Sequence, residues 1–180
     1  MPRYVALFRG INVGKAKRIA MADLRALLGR LGYTDVATLL NSGNAVFTGS
    51  AAAAEKHAGK IRTAVASKLG VDAQVVVKSA ADIAAIVSGN ALEKIASDHS
   101  RLLVAMTGDA AALGRLRPLA ARDWGAEKVH LGKQAAYLWC ANGILESEAA
   151  ACLLKELKTG GTTRNWATLL KIHALLTGGS

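Results

Sequence analysis

The sequence predicts an α+β fold built from two β-α-β-β-α-β plaits. Three observations carry this. Apolar runs of strand length flank two short turns, at residues 41–44 and 132–134. Segments with apolar residues at helical spacing separate the strands. Both halves then show the same β-α-β-β-α order, without a residue-level repeat. The economical arrangement is two ferredoxin-like (α/β plait) subdomains with antiparallel or mixed sheets, residues 1–90 and 91–180, joined near 88–100. The alternative is one mixed sheet of about seven or eight strands.

Residues 4–8 form an apolar run that reads as a buried strand, followed by a glycine loop. Leu24, Leu27, Leu28 and Leu31 mark an amphipathic helix, and Gly32 stands where a helix end favours positive φ. The runs 36–40 and 45–47 flank Asn41-Ser42-Gly43-Asn44, a hairpin. Ile61, Ala64, Val65 and Leu69 mark a second helix closed by Gly70, and 73–78 is a strand. Ser79 and Asp82 make a capping box that opens a short helix through Ile83, Ile86 and Val87. In the second half, 101–107 is a strand. Asp109 caps a helix through Leu113 and Leu116, which Pro118 ends or bends. The runs 127–131 and 135–140 flank Gly132-Lys133-Gln134, a second hairpin. A helix through Ala150, Leu153, Leu154 and Leu157 is broken at 159–163, and a final helix is expected from about Arg164 to Leu176.

The totals suit a globular chain: 180 residues, 52% hydrophobic and 20% charged. A chain of this length buries roughly 70% of its unfolded surface and needs no staples. The 23 Lys and Arg exceed the 13 Asp and Glu by a formal charge of +10. The excess is concentrated early, with 12 basic and 5 acidic residues in the first 90 against 11 and 8 in the last 90. A basic surface points to anionic partners, nucleotides or nucleic acid among them, although solubility alone also accounts for it. Cys140 and Cys152 form no C-x-x-C pair, which suits a reducing cytoplasm. Arg9 interrupts the first apolar run before a signal peptide could form, and no uncharged run is long enough to span a membrane. A cytoplasmic location is therefore expected.

The glycine loop, Phe8-Arg9-Gly10-Ile11-Asn12-Val13-Gly14-Lys15, raises the question of phosphate. It lacks the G-x-x-x-x-G-K-[ST] spacing: Gly10 to Gly14 is one residue short, and Ala16 follows Lys15. It also lacks G-x-G-x-x-G. Its glycines, Arg9, Lys15 and Asn12 still suit an anion. The competing reading is a strand-to-helix connection in which Asn12 caps the turn. The segment Thr162-Thr163-Arg164-Asn165-Trp166 reads as a helix start capped by Thr163. Arg164 would then sit at a helix end that disfavours cations, which hints at an anion pocket or at a carboxylate partner elsewhere. Trp166, near Leu169 and Leu170 on one helix face, is expected to be buried.

Other constellations are weaker. His57, His99, His130 and His173 share no metal spacing, so no metal and no cofactor is expected. His173 and Cys152 read as core, Cys140 has no local catalytic partner, and Ser42 lacks a nucleophile elbow. Tyr137 and Trp139 alternate along one strand, where core packing is more common than base stacking.

The glycine loop, the "TLLNSGNAVF" run and "TTRNWATLLKI" together resemble the bacterial proteins grouped as domain-of-unknown-function family 1697. The resemblance implies two plait-like subdomains and supplies no reaction. Its signature positions here are residues 9–14, 41–44 and 164–166. The chain departs from the family pattern at Cys140 and Ala141, where a proline tends to precede the turn at 142–144.

The leading expectation is a protein that binds a small anionic or phosphate-bearing ligand or nucleic acid through Arg9, Asn12, Lys15, Asn44 and Arg164, with the 41–44 turn beside the glycine loop. An enzyme on phosphorylated or nucleotide substrates is a second reading, opposed by the lack of Asp, Glu or His in the three motifs. A structural role, in which the motifs hold the halves together and the protein works by association, is a third. Oligomeric state is not legible.

Overall fold

Strand β1 (Arg3–Arg9) is the centre of the first sheet in this computed structural model, which describes residues 1–178. All five residues of its apolar run, Tyr4 to Phe8, are buried. Their side chains alternate faces, as a strand requires. Tyr4, Ala6 and Phe8 pack into a core with Leu24, Leu27 and Leu28 of helix α1 (Met21–Arg30) and with Ile61 and Val65 of helix α2 (Ala54–Leu69). Helix α2 ends on Gly70 at φ +68, the left-handed stop expected from the sequence.

The remaining strands of this unit are β2 (Thr34–Leu39), β3 (Asn44–Thr48) and β4 (Gln74–Ser79). The order β2-β3-β1-β4 is antiparallel throughout, that of a ferredoxin-like plait. Helix α3 (Ala80–Ser88) follows β4 directly. Its expected capping box is present: Asp82 N–H donates to Ser79 Oγ at 3.1 Å, and Ser79 N–H donates to Asp82 Oδ2 at 3.0 Å.

The second unit repeats the order. After a single helical turn at His99–Arg101 come β5 (Leu102–Thr107), α4 (Ala110–Gly114), α5 (Arg117–Ala121), β6 (Lys128–Leu131), β7 (Ala136–Trp139), α6 (Glu148–Leu157), β8 (Gly161–Asn165) and α7 (Trp166–Thr177). Its sheet order, β6-β7-β5-β8, is the same plait, again antiparallel. Asp109 Oδ1 accepts from Ala112 N–H at 2.7 Å and caps α4, which ends at Gly114, and Pro118 stands in the first turn of α5, where its missing N–H costs nothing. Leu103, Ala105, Ala136 and Leu138 pack with Leu113, Leu116, Leu119, Ala150, Leu153 and Leu157 in one core.

One element differs from the sequence expectation. Residues 161–165 are not a helix start but the fourth strand of the second sheet, with Arg164 opposite Val104 and Thr162 opposite Met106. Two β-branched threonines favour an extended backbone, and Gly161 lets β8 approach β5: a Cβ there would lie 2.6 Å from the Met106 carbonyl oxygen. Helix α7 starts two residues later than a Thr163 cap implies, with Asn165 Oδ1 accepting from Thr168 N–H at 2.9 Å. Arg164 therefore lies on a strand and not in the first turn of a helix.

The chain divides into Met1–Ile83 with Ile172–Ser180, and Ala84–Lys171. The first break falls a few residues before the expected boundary at residue 90, and the later part of α7 groups with the first unit. Among the described residues, no helix is long and apolar enough to cross a membrane.

Candidate functional site

The glycine loop leaves β1 at Arg9 and turns through four left-handed residues: Gly10 (φ +70), Asn12 (φ +56), Gly14 (φ +64) and Lys17 (φ +51). Asparagine tolerates this region better than other side chains because its amide bonds locally. Asn12 does so with every polar atom. Its N–H donates to the Lys17 carbonyl at 3.0 Å and closes the loop. Its Oδ1 accepts from Ile19 N–H at 2.8 Å, and its Nδ2 donates to the carbonyls of Ile19 at 2.9 Å and Asn41 at 2.8 Å. The last bond ties the loop to the hairpin turn.

Two further contacts join the same pieces. Phe8 N–H donates to the Gly43 carbonyl at 2.9 Å. Gly43 has φ +92, and a Cβ there would lie 2.6 Å from Ile11 Cδ1 and 2.8 Å from Phe8 Cβ. Buried Asn44 donates from Nδ2 to the Leu39 carbonyl at 2.7 Å across the hairpin. The turn thus lies beside the glycine loop, as expected: Asn12 holds Asn41, Ile11 packs on Gly43, and Asn44 braces the hairpin from within.

Beside this junction is a cavity of about 310 Å³ lined by Asn12, Arg18, Ile19, Ala20, Met21 and Asn41. It opens at the start of α1. The N-cap residue there, Ala20, offers no side-chain oxygen, and the first intrahelical bond is Leu24 N–H to the Ala20 carbonyl. The N–H groups of the first turn therefore face outward at the positive end of the helix dipole. Exposed Arg18 is held over the loop by Nη1, which donates to the carbonyls of Gly14 at 3.1 Å and Asn12 at 3.4 Å. Asp23, also in the first turn, does not line the cavity.

Of the five residues expected from the sequence, Asn12 alone lines this cavity. Lys15 is exposed on the loop, Arg9 is half-buried at the end of β1, and Asn44 is buried under the turn. Arg164 belongs to the second unit, where it is 8% exposed. Its Nη1 donates to Thr162 Oγ1 and to the Thr163 carbonyl, both at 2.8 Å. Burial lowers its guanidinium to about 10, which leaves it charged at neutral pH. Arg18 was missed because a single arginine in a non-periodic basic stretch carries no positional signal. Among the described residues, no cluster of His, Cys, Asp and Glu could hold a metal ion.

Fold and site define an α+β protein of two antiparallel plait units, with an ordered glycine loop pinned to a hairpin turn. The chain belongs to the family described as protein of unknown function (DUF1697), whose model matches residues 1–137. That match takes in the loop and the turn and ends before the Arg164 segment. No curated protein matches the chain significantly. Among solved structures, it is similar to conserved bacterial protein SP0830 from Streptococcus pneumoniae. The two are 26% identical, with a TM-score of 0.79 over 97% of this chain and 98% of that one.

Proposed function

We propose that the protein binds a small phosphate-bearing anion in the cavity beside the glycine loop, in a cytoplasmic setting. The observation that carries this reading is the meeting of Arg18 with the uncapped start of α1 at one cavity. Helix N–H groups and a guanidinium are complementary to phosphate oxygens, and each charge-assisted bond is stronger than a neutral one. Asn12 acts as a positioning residue, since its amide already holds Ile19 and Asn41. Exposed Lys15 and Lys17 raise the local positive field and speed encounter. None of the described lining residues is a carboxylate or histidine, which favours binding over proton-transfer chemistry. Both cysteines are free thiols, which suits a reducing compartment.

Calorimetric titration of the whole chain with inorganic phosphate and pyrophosphate at low salt tests the reading. Affinity should fall with added salt. Arg18→Ala should weaken binding about tenfold or more, as expected for one charge-assisted contact. Lys15→Ala should have a smaller effect. If wild type and Arg18→Ala take up both anions equally, or neither anion binds, the cavity is not an anion site.

A further inference from the structure

We infer that the second unit carries a separate binding site for a nucleoside monophosphate, in the cavity between the end of α3, the start of α5 and the β6–β7 hairpin. This cavity measures about 680 Å³, within the range of small-molecule sites. Its residues come from three places in the chain: Ala85, Ser88 and Gly89; Arg117; and the hairpin from His130 to Tyr137. All lie in the unit Ala84–Lys171.

The floor is aromatic and fixed. Tyr137 is 2% exposed, and its Oη donates to the Ile86 carbonyl at 2.5 Å. The half-buried His130 ring stands alongside, its plane 26° from that of Tyr137 and its centroid 6.0 Å away. Backbone closes against the tyrosine because two residues lack a Cβ. At Gly132 a Cβ would lie 3.0 Å from Tyr137 Cε2, and at Gly89 it would lie 3.2 Å from Tyr137 Oη. The ring is thereby held by both the hairpin and the helix end. Leu131 and Ala85 extend the apolar surface.

The rim is cationic. Arg117 and Lys133 are both exposed, and no described lining residue is a carboxylate. A ligand that uses floor and rim together needs a flat apolar body and a negative charge. A heteroaromatic base bearing one phosphate has both. The base would lie against His130 and Leu131, since every base offers a stacking face. The exposed Gln134 amide, with a donor and an acceptor, would reach a base edge. The phosphate would take Arg117 and Lys133. Inorganic phosphate would forgo the floor, and a nucleoside would forgo the rim.

The experiment is calorimetric titration of the whole chain with AMP, GMP, CMP and UMP, and with adenosine and inorganic phosphate as partial ligands. At least one monophosphate should bind. Where AMP binds, adenosine and phosphate should each be weaker by about tenfold or more, because each lacks one half of the recognition. Lys133→Glu, at an exposed position, should weaken the monophosphate by a similar factor. Ala85→Trp, on the exposed face of α3, should fill the cavity and abolish binding. Thermal unfolding of both variants should match wild type. The same titrations in the Arg18→Ala background, where the site beside the glycine loop is weakened, should retain tight monophosphate binding, which separates the two sites. The inference is overturned if, in the Arg18→Ala background, none of the four monophosphates binds, phosphate alone binds as tightly as the nucleotides, or folded Lys133→Glu and Ala85→Trp bind them as well as their parent does.

Discussion

Asn12 and Asn41 are joined by a hydrogen bond of 2.8 Å from the Asn12 amide to the Asn41 main-chain carbonyl. This bond makes the glycine loop and the hairpin turn one structure. The loop's left-handed residues are held by it and by the two bonds between Asn12 and Ile19.

Asn12→Ala should therefore be more harmful than its half-buried position suggests. It removes three side-chain bonds and places an alanine at φ +56. The expected loss is about 2–4 kcal/mol in urea unfolding. Asn12→Gly, which accepts positive φ freely, should recover about 1 kcal/mol of that. Equal losses for the two would show that backbone conformation contributes nothing.

Gly43 admits no side chain. Its φ of +92 disfavours any L-residue, and a new methyl would collide with both Ile11 and Phe8. Gly43→Ala should cost about 2–4 kcal/mol, the range of overpacking plus backbone strain. An unfolding midpoint within error of wild type would contradict this.

Trp166 is fully buried, and its Nε1 is among the buried nitrogens without a hydrogen-bond partner. Trp166→Ala should cost about 3–5 kcal/mol through the cavity it leaves. Trp166→Phe should cost far less, about 1 kcal/mol, because it removes ring volume but also a buried donor that bonds to nothing. Equilibrium unfolding of the pair distinguishes packing from polar contact: if the indole N–H matters, the two losses will be similar.

Tyr137 should make stability depend on alkaline pH. Burial pushes its hydroxyl up to about 12, whereas the unfolded chain ionises it near its ordinary value of 10. Its contribution is fully present below pH 10 and is lost as pH rises through about 12. Within that window stability should fall by about 1.4 kcal/mol per pH unit from this one group. Tyr137→Phe should flatten the dependence. An unchanged slope in the variant would place the effect elsewhere.

Local signals predicted much of this fold. The Ser79–Asp82 box, the Asp109 cap and the glycine stop at Gly70 each depend on residues within one turn of each other. Both hairpins were legible for the same reason. Strand β8 was not, because its partner β5 lies far back in the chain and the two threonines that favour a strand serve equally well as a helix cap. The sites divide similarly. The adjacency of loop and turn follows from short-range plait geometry. The cavity at Arg18 depends on where α1 begins, and that at His130 depends on three separate segments meeting.

The grouping of Ile172–Ser180 with Met1–Ile83 sets an order of events during synthesis. Arg3, in the first strand, donates from Nη1 to the Leu176 carbonyl at 3.3 Å. The ribosome makes Arg3 almost at once, but its acceptor emerges only after the whole second unit has been translated. The first plait can form its sheet early and must then wait, with this part of its surface open. The second unit is an uninterrupted stretch of chain and can finish while the first is still incomplete. Cutting the gene near codon 90 would release a first unit without its closing segment.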